Sequence, residues 1–143
     1  MKNTRQLIVA TVISLLTIAP ISCNSDDDSN SDCQDAICTT VLVRIMVSIT
    51  DQNQDPVALD SFKVVNRENG NDMTIALTPS ELAAAQQFGQ YPLIEDGSLG
   101  VNQERQIQFQ GFVNNQEVIS SDYTVGTDCC HVGLVDGNLQ LTL

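Results

Sequence analysis

Val41-Leu-Val-Arg-Ile-Met-Val-Ser-Ile-Thr50 alternates strictly. Val41, Val43, Ile45, Val47 and Ile49 fall on one face, and Leu42, Arg44, Met46, Ser48 and Thr50 on the other. Successive side chains of a strand point to opposite sides of its sheet, so a period of two marks a strand with one buried face. Asp51-Gln-Asn-Gln-Asp-Pro56 breaks the pattern, and residues 57–66 resume it. Asn69-Gly70 suits a tight hairpin because both residues tolerate positive φ, and residues 73–77 are its expected return strand. Residues 90–94 read as a brief strand stopped by Glu95-Asp-Gly97. In residues 105–113, Ile107, Phe109 and Val113 oppose Gln106, Gln108 and Gln110. Asn114-Asn115 turns the chain into 117–125, Gly126-Thr-Asp128 breaks it again, and residues 129–135 and 139–143 flank Asp136-Gly-Asn138.

One helix interrupts this rhythm. Thr78-Pro-Ser-Glu81 places a capping hydroxyl, a proline at the first helical position and a glutamate that reaches back to the cap. Gly89 ends it, which gives a helix near 79–88 lying over an open end of the sheet. Seven or eight short strands with Gly/Asn/Asp turns predict an all-β fold, an antiparallel β-sandwich over residues 38–143. There is no strand–helix repetition to support a parallel sheet, and no internal repeat.

The chain has 143 residues, with 18 acidic side chains against 6 basic ones and a single histidine, for a net charge of −12. This length holds one domain with a real core and is short for two. A surface of this charge repels phosphate backbones, which excludes nucleic acid as a partner. No tryptophan is present and aromatics make up 4%, so a stacking platform is not expected, nor is a histidine-rich metal site or a bound cofactor.

Lys2 and Arg5 precede an apolar run from Leu7 to Ala19, followed by Pro20-Ile-Ser-Cys23. A charged start, about a dozen apolar residues and a small residue before a cut form a secretory signal, here residues 1–22. The run spans only about 20 Å of helix, short of the ~30 Å hydrocarbon core, which disfavours a permanent transmembrane anchor. Ile21-Ser-Cys23 resembles the lipobox of bacterial lipoproteins. That resemblance implies cleavage before Cys23, acylation of its thiol and attachment to a membrane through the lipid. The competing reading is ordinary signal cleavage with Cys23 a plain thiol. Asn24-Ser-Asp-Asp-Asp-Ser-Asn-Ser-Asp32 contains no apolar residue, so residues 23–37 are expected to be an acidic flexible tether. Ser25, Asp26, Asp27 and Asp28 after the cysteine resemble the export signal that sends Bacteroidota-type lipoproteins to the outer face of the outer membrane. A solvated spacer needs no such signal.

Val43-Arg-Ile-Met-Val-Ser-Ile-Thr-Asp-Gln-Asn-Gln-Asp-Pro-Val57 is similar to the opening hairpin of carboxypeptidase-regulatory-like (prealbumin-like) domains, with Gln54-Asp55 where glycine is usual. Tyr123-Thr-Val-Gly-Thr-Asp-Cys-Cys-His-Val132 resembles the C-terminal signature of small Bacteroidota-type lipoproteins associated with that fold. These resemblances imply a prealbumin-like or Ig-like sandwich and an accessory or interaction module without a catalytic centre.

With Cys23 acylated, Cys33, Cys38, Cys129 and Cys130 remain. An even count in an exported, oxidising compartment favours two disulfides, and four cysteines allow three pairings. Joining adjacent Cys129 and Cys130 makes a strained eight-membered ring, so the two pairings that bond Cys33 and Cys38 each to one of the pair are preferred. If the pair lies in an alternating strand, its two thiols face opposite sides. The alternatives are a redox-active vicinal pair and a zinc site of Cys38, Cys129, Cys130 and His131. Zinc needs ligands that converge, whereas adjacent strand cysteines diverge. His131 by itself reads as a strand residue with a hydrogen-bonded or solvated ring.

Asp51, Asn53 and Asp55 have the one-three-five spacing of a calcium loop, but Pro56 and Phe62 stand where a glycine and a bidentate glutamate belong. A metal-free turn is the better reading, with weak calcium binding left open. No His–Asp–Ser order assembles around His131, and neither a nucleophile-elbow motif nor a phosphate-binding glycine loop occurs. Glu95-Asp96 reads as turn residues rather than a catalytic pair. The chain is therefore expected to be non-enzymatic, a binding module anchored at the bacterial outer-membrane surface with a protein or glycan partner. Its expected contact loops are 51–55, 67–72 and 95–100. The alternative is an accessory subunit of an envelope or transport assembly that makes contact through the glutamine-rich face of 105–113.

Overall fold

The computed structural model describes residues 33–143. The signal segment 1–22, the lipidation site Cys23 and the Ser25, Asp26, Asp27, Asp28 run lie outside the described residues. The alternation opened at Val41 builds β1 (Arg44–Thr50), in which Val47 and Ile49 are fully buried and Ile45 packs against the core, as does Val43 just before the strand. The strand begins later than its pattern. Val41 is 68% exposed and outside the sheet, because residues 33–43 run as an irregular strap held by other bonds.

Six further strands follow: β2 (Ser61–Asn66), β3 (Gln90–Glu95), β4 (Glu104–Val113), β5 (Gln116–Thr127), β6 (Val132–Asp136) and β7 (Gln140–Thr142). They form a three-stranded sheet ordered β3-β1-β7 and a four-stranded sheet ordered β2-β4-β5-β6. Their inner faces enclose one core, with Phe62, Tyr91 and Phe109 at its centre and ring centroids 5.7–6.4 Å apart. The all-β sandwich is thus as expected, with one departure in strand direction. β7 runs parallel to β1, which is possible because nearly the whole domain separates them.

The helix α1 (Pro79–Phe88) has the capping box read from Thr78 and Glu81, and Gly89 ends it in the left-handed conformation at φ 64°. A Cβ on Gly89 would stand 2.5 Å from the Ile49 carbonyl oxygen, so glycine is required there by space as well as by φ. The helix packs along β3, turns Ala85 into the core and sends Gln86 Nε2 to the Leu59 carbonyl at 2.9 Å.

Three expected strands are shorter or absent, and the first of them, 57–66, is a strand only over β2, with residues 57–60 in the preceding loop. Residues 73–77 do not return as a strand. After one bridge between Val65 and Asp72 the chain leaves the sheet to reach the helix, and Met73 and Leu77 pack on the core instead. Thr74 Oγ1 accepts from Val64 N–H at 2.9 Å, covering the outer edge of β2. Residues 129–131 are a bend preceding β6, so the expected alternation of Cys129 and Cys130 across a strand does not occur.

Candidate functional site

Strand register places two groups of loops at opposite ends of the sandwich. Arg44 pairs with Glu95, Asn66 with Ile107, Glu104 with Gly126 and Thr127 with Val132. Loops 67–72, 96–103 and 128–131 therefore share one end, and loop 51–60 lies at the other. The three expected contact loops do not form one surface, because 51–55 is separated from the other two by the length of β1.

The end that carries the strap is cross-linked. Cys33 is bonded to Cys129 and Cys38 to Cys130, with sequence separations of 96 and 92. All four sulfurs are in disulfides, which removes them as zinc ligands and as a vicinal redox pair. Among the described residues no group of three or more His, Cys, Asp or Glu is placed to hold a metal ion.

Beside the staples, Asp96 ties three parts of the chain together. Its Oδ2 accepts from Val43 N–H and meets His131 Nδ1, and its Oδ1 accepts from Val132 N–H, each at 2.8 Å. The start of β1, the start of β6 and the histidine are thus gathered on one carboxylate. These amide bonds, with the imidazole contact, hold its pKa down at about 2 against an ordinary 3.8. On the far side of the ring, His131 Nε2 lies 2.9 Å from Thr39 Oγ1 in the strap. Asp128 acts similarly on the bend. Its Oδ1 accepts from Cys130 and His131 N–H at 2.7 and 2.8 Å, which also lowers its pKa. Thr127 fixes the neighbouring loop by accepting from Gln103 N–H at 3.0 Å and donating to the Gly100 carbonyl.

Asp96, His131 and Thr39 form a carboxylate–imidazole–hydroxyl chain in the order of a hydrolase triad, with threonine as the hydroxyl, an order that sequence reading missed. Such a triad also needs amide donors free to hold an oxyanion. Here the consecutive N–H groups of Cys130, His131 and Val132 are all consumed by the Asp128 and Asp96 carboxylates. His131 borders two hollows, one of about 170 Å³ that it shares with Asp96 and an open one of about 450 Å³ that it shares with Gln103, Glu104 and Leu134. Chemically the arrangement is a clamp that fixes the strap and the bend.

Comparison with protein-family models, curated proteins and solved structures finds no match.

The turn with calcium-loop spacing, expected to be metal-free, is occupied by its own backbone. Asp51 Oδ1 accepts from the N–H groups of Asn53 and Asp55 at 2.8 and 2.9 Å, and Oδ2 accepts from Asn53 Nδ2 at 3.3 Å. Gln54 adopts φ 69° to close the turn. Asp51 is thereby committed as a turn-forming side chain.

The glutamine-rich face of β4 is open. Gln108 stands opposite Asp122 and Gln110 opposite Ser120 on β5, while Gln110 Nε2 donates to Gln108 Oε1 at 3.3 Å and to Glu117 Oε2 at 3.1 Å. At its edge Arg67 pairs with Asp122 at 3.5 Å, and these two with Gln106, Thr124 and Asp136 line a polar hollow of about 260 Å³. This surface offers amides, hydroxyls and one ion pair across three strands.

Proposed function

We propose that this chain is a lipid-anchored binding module on the outer face of the bacterial outer membrane, acting by contact rather than by catalysis. Cys23 is its acylated N-terminus, Ser25, Asp26, Asp27 and Asp28 direct its export, and the sandwich presents a polar sheet face to a protein or glycan partner.

The observation that carries this reading is the position of the staples. Cys33 and Cys38 are the first cysteines after Cys23, and both are covalently joined to the bend between β5 and β6. Force arriving through an N-terminal anchor enters the fold through those bonds before it reaches any strand pair of β1. A module held by its leader is loaded at this point, and an oxidising compartment is where such bonds persist. The contact surface follows from what is left open. Loops 67–72 and 96–103 sit at the anchored end, whereas the outer face of β4 and β5 is accessible along its length.

A photo-cross-linker placed at Gln108 in intact cells tests this, with Phe88 as the control position. Capture at Gln108 above the control supports the reading. External glycans or diverse ligands assign an adhesion-type role, and one dominant envelope protein assigns the accessory-subunit role. Equal capture at both positions overturns the contact face.

A further inference from the structure

The strap, residues 33–43, is unusual in what it exposes. Ile37 is 98% exposed, Val41 68% and Leu42 60%, although Thr39 and Val43 between and beside them are tied to His131 and Asp96. Val101, on the loop beside the staples, is 36% exposed. The strap carries no lysine or arginine, and its single acid is Asp35. Bulky apolar side chains held in water on a cross-linked segment gain free energy only when something covers them.

We propose that the bilayer covers them: Ile37, Val41 and Leu42 dip into the acyl–headgroup boundary and set the domain down on its stapled end. This rests on the anchor at Cys23 proposed above. Ten residue steps separate Cys23 from Cys33, and even a fully extended chain spans at most about 35 Å over that length. The strap is therefore confined near the bilayer whatever path the intervening residues take. With no basic residue on the strap, the attraction is apolar and does not require anionic lipid. The domain then stands with loop 51–60 and the helix C-terminus outward, because Gly89 abuts the Ile49–Pro56 end of β1, away from the Val43–Asp96 end.

The chain contains no tryptophan, so single indoles report position without background. Ile37→Trp and Leu42→Trp are made in the full chain, with Phe88→Trp, 62% exposed at the outward end, as control. Each acylated protein is reconstituted in phosphatidylcholine vesicles with and without bromine on the acyl chains. Indoles at 37 and 42 are expected to be quenched several-fold more than the indole at 88. Flotation with the vesicles and the acyl mass on Cys23 report the anchor separately. Protein that lacks the acyl mass and does not float defeats both readings. Protein that floats while positions 37 and 42 are quenched no more than 88 defeats this proposal alone. Weak quenching together with a dimer in solution that Leu42→Asp dissolves would assign the strap to a second copy and overturn it as well.

Discussion

Removing the staples one at a time and together should give strongly unequal losses of stability. Either bond alone closes a loop of more than 90 residues, which in the chain-entropy account stabilises the fold by about 4.6 kcal/mol at 25 °C. Once one is in place, the other closes a ring made only of residues 33–38 and 129–130. For a ring of about eight residues the same relation gives about 2.5 kcal/mol. Cys33→Ser with Cys129→Ser, or Cys38→Ser with Cys130→Ser, should therefore each cost about 2.5 kcal/mol, and all four changes about 7 kcal/mol, an excess of about 2 kcal/mol over additivity. Urea unfolding of the oxidised proteins measures all three losses. The denaturant slope should stay nearly constant in the two-residue variants and rise in the four-residue variant, whose unfolded chain is no longer cross-linked. Losses of about 4 to 5 kcal/mol for each pair, summing to the total, would mean that the bonds do not share one ring and would refute the reasoning.

Two side chains provide further checks. Asp96 has a folded-state pKa of about 2, below its unfolded value of 3.8, so its ionised form favours the folded state. Its contribution is fully present above about pH 4 and is lost as pH falls towards 2. Asp96→Asn should lower the urea midpoint at pH 7 and flatten its decline between pH 4 and 2, leaving a residual slope from the other depressed carboxylates such as Asp51 and Asp128; an unchanged slope would count against the clamp. Tyr91 Oη accepts from buried Leu59 N–H at 2.7 Å and donates to the Val57 carbonyl at 2.9 Å, so Tyr91→Phe strands an amide in the core. Thermal and urea unfolding should show a loss of about 1 to 3 kcal/mol, and a larger one than for Tyr123→Phe, whose hydroxyl donates to the Asn138 carbonyl and meets the Ser121 side chain but accepts from no buried amide.

What was legible in the sequence is what local chemistry decides. The alternation of β1 and β4, the Thr78–Glu81 capping box, the Gly89 stop and the Asn114-Asn115 turn each depend on neighbours within a few residues, and each is present. The joining of Cys33 and Cys38 to Cys129 and Cys130 was reachable because ring strain removed the third pairing. Asp96 was not legible as more than a turn residue. Its partners Val43, His131 and Val132 lie 53, 35 and 36 residues away, and nothing in Glu95-Asp-Gly97 encodes them. The Thr39–His131 contact escaped for the same reason, at a separation of 92. Residues 73–77 misled in the opposite sense. Their apolar spacing is real and packs on the core, but the backbone must climb to the helix and pairs with β2 only at its start. The Asp51 spacing that resembles a calcium loop arises because a short turn needs a carboxylate to accept its own amides.

Acylation of Cys23 is the point on which the function rests, and metabolic labelling with a tagged fatty acid tests it directly. The wild-type chain should carry the label on a mature protein that begins at Cys23. Cys23→Ala should lose the label and accumulate as the precursor. Equal labelling of both forms, or a mature wild-type protein that carries no label, would contradict the anchor and with it the surface role proposed here.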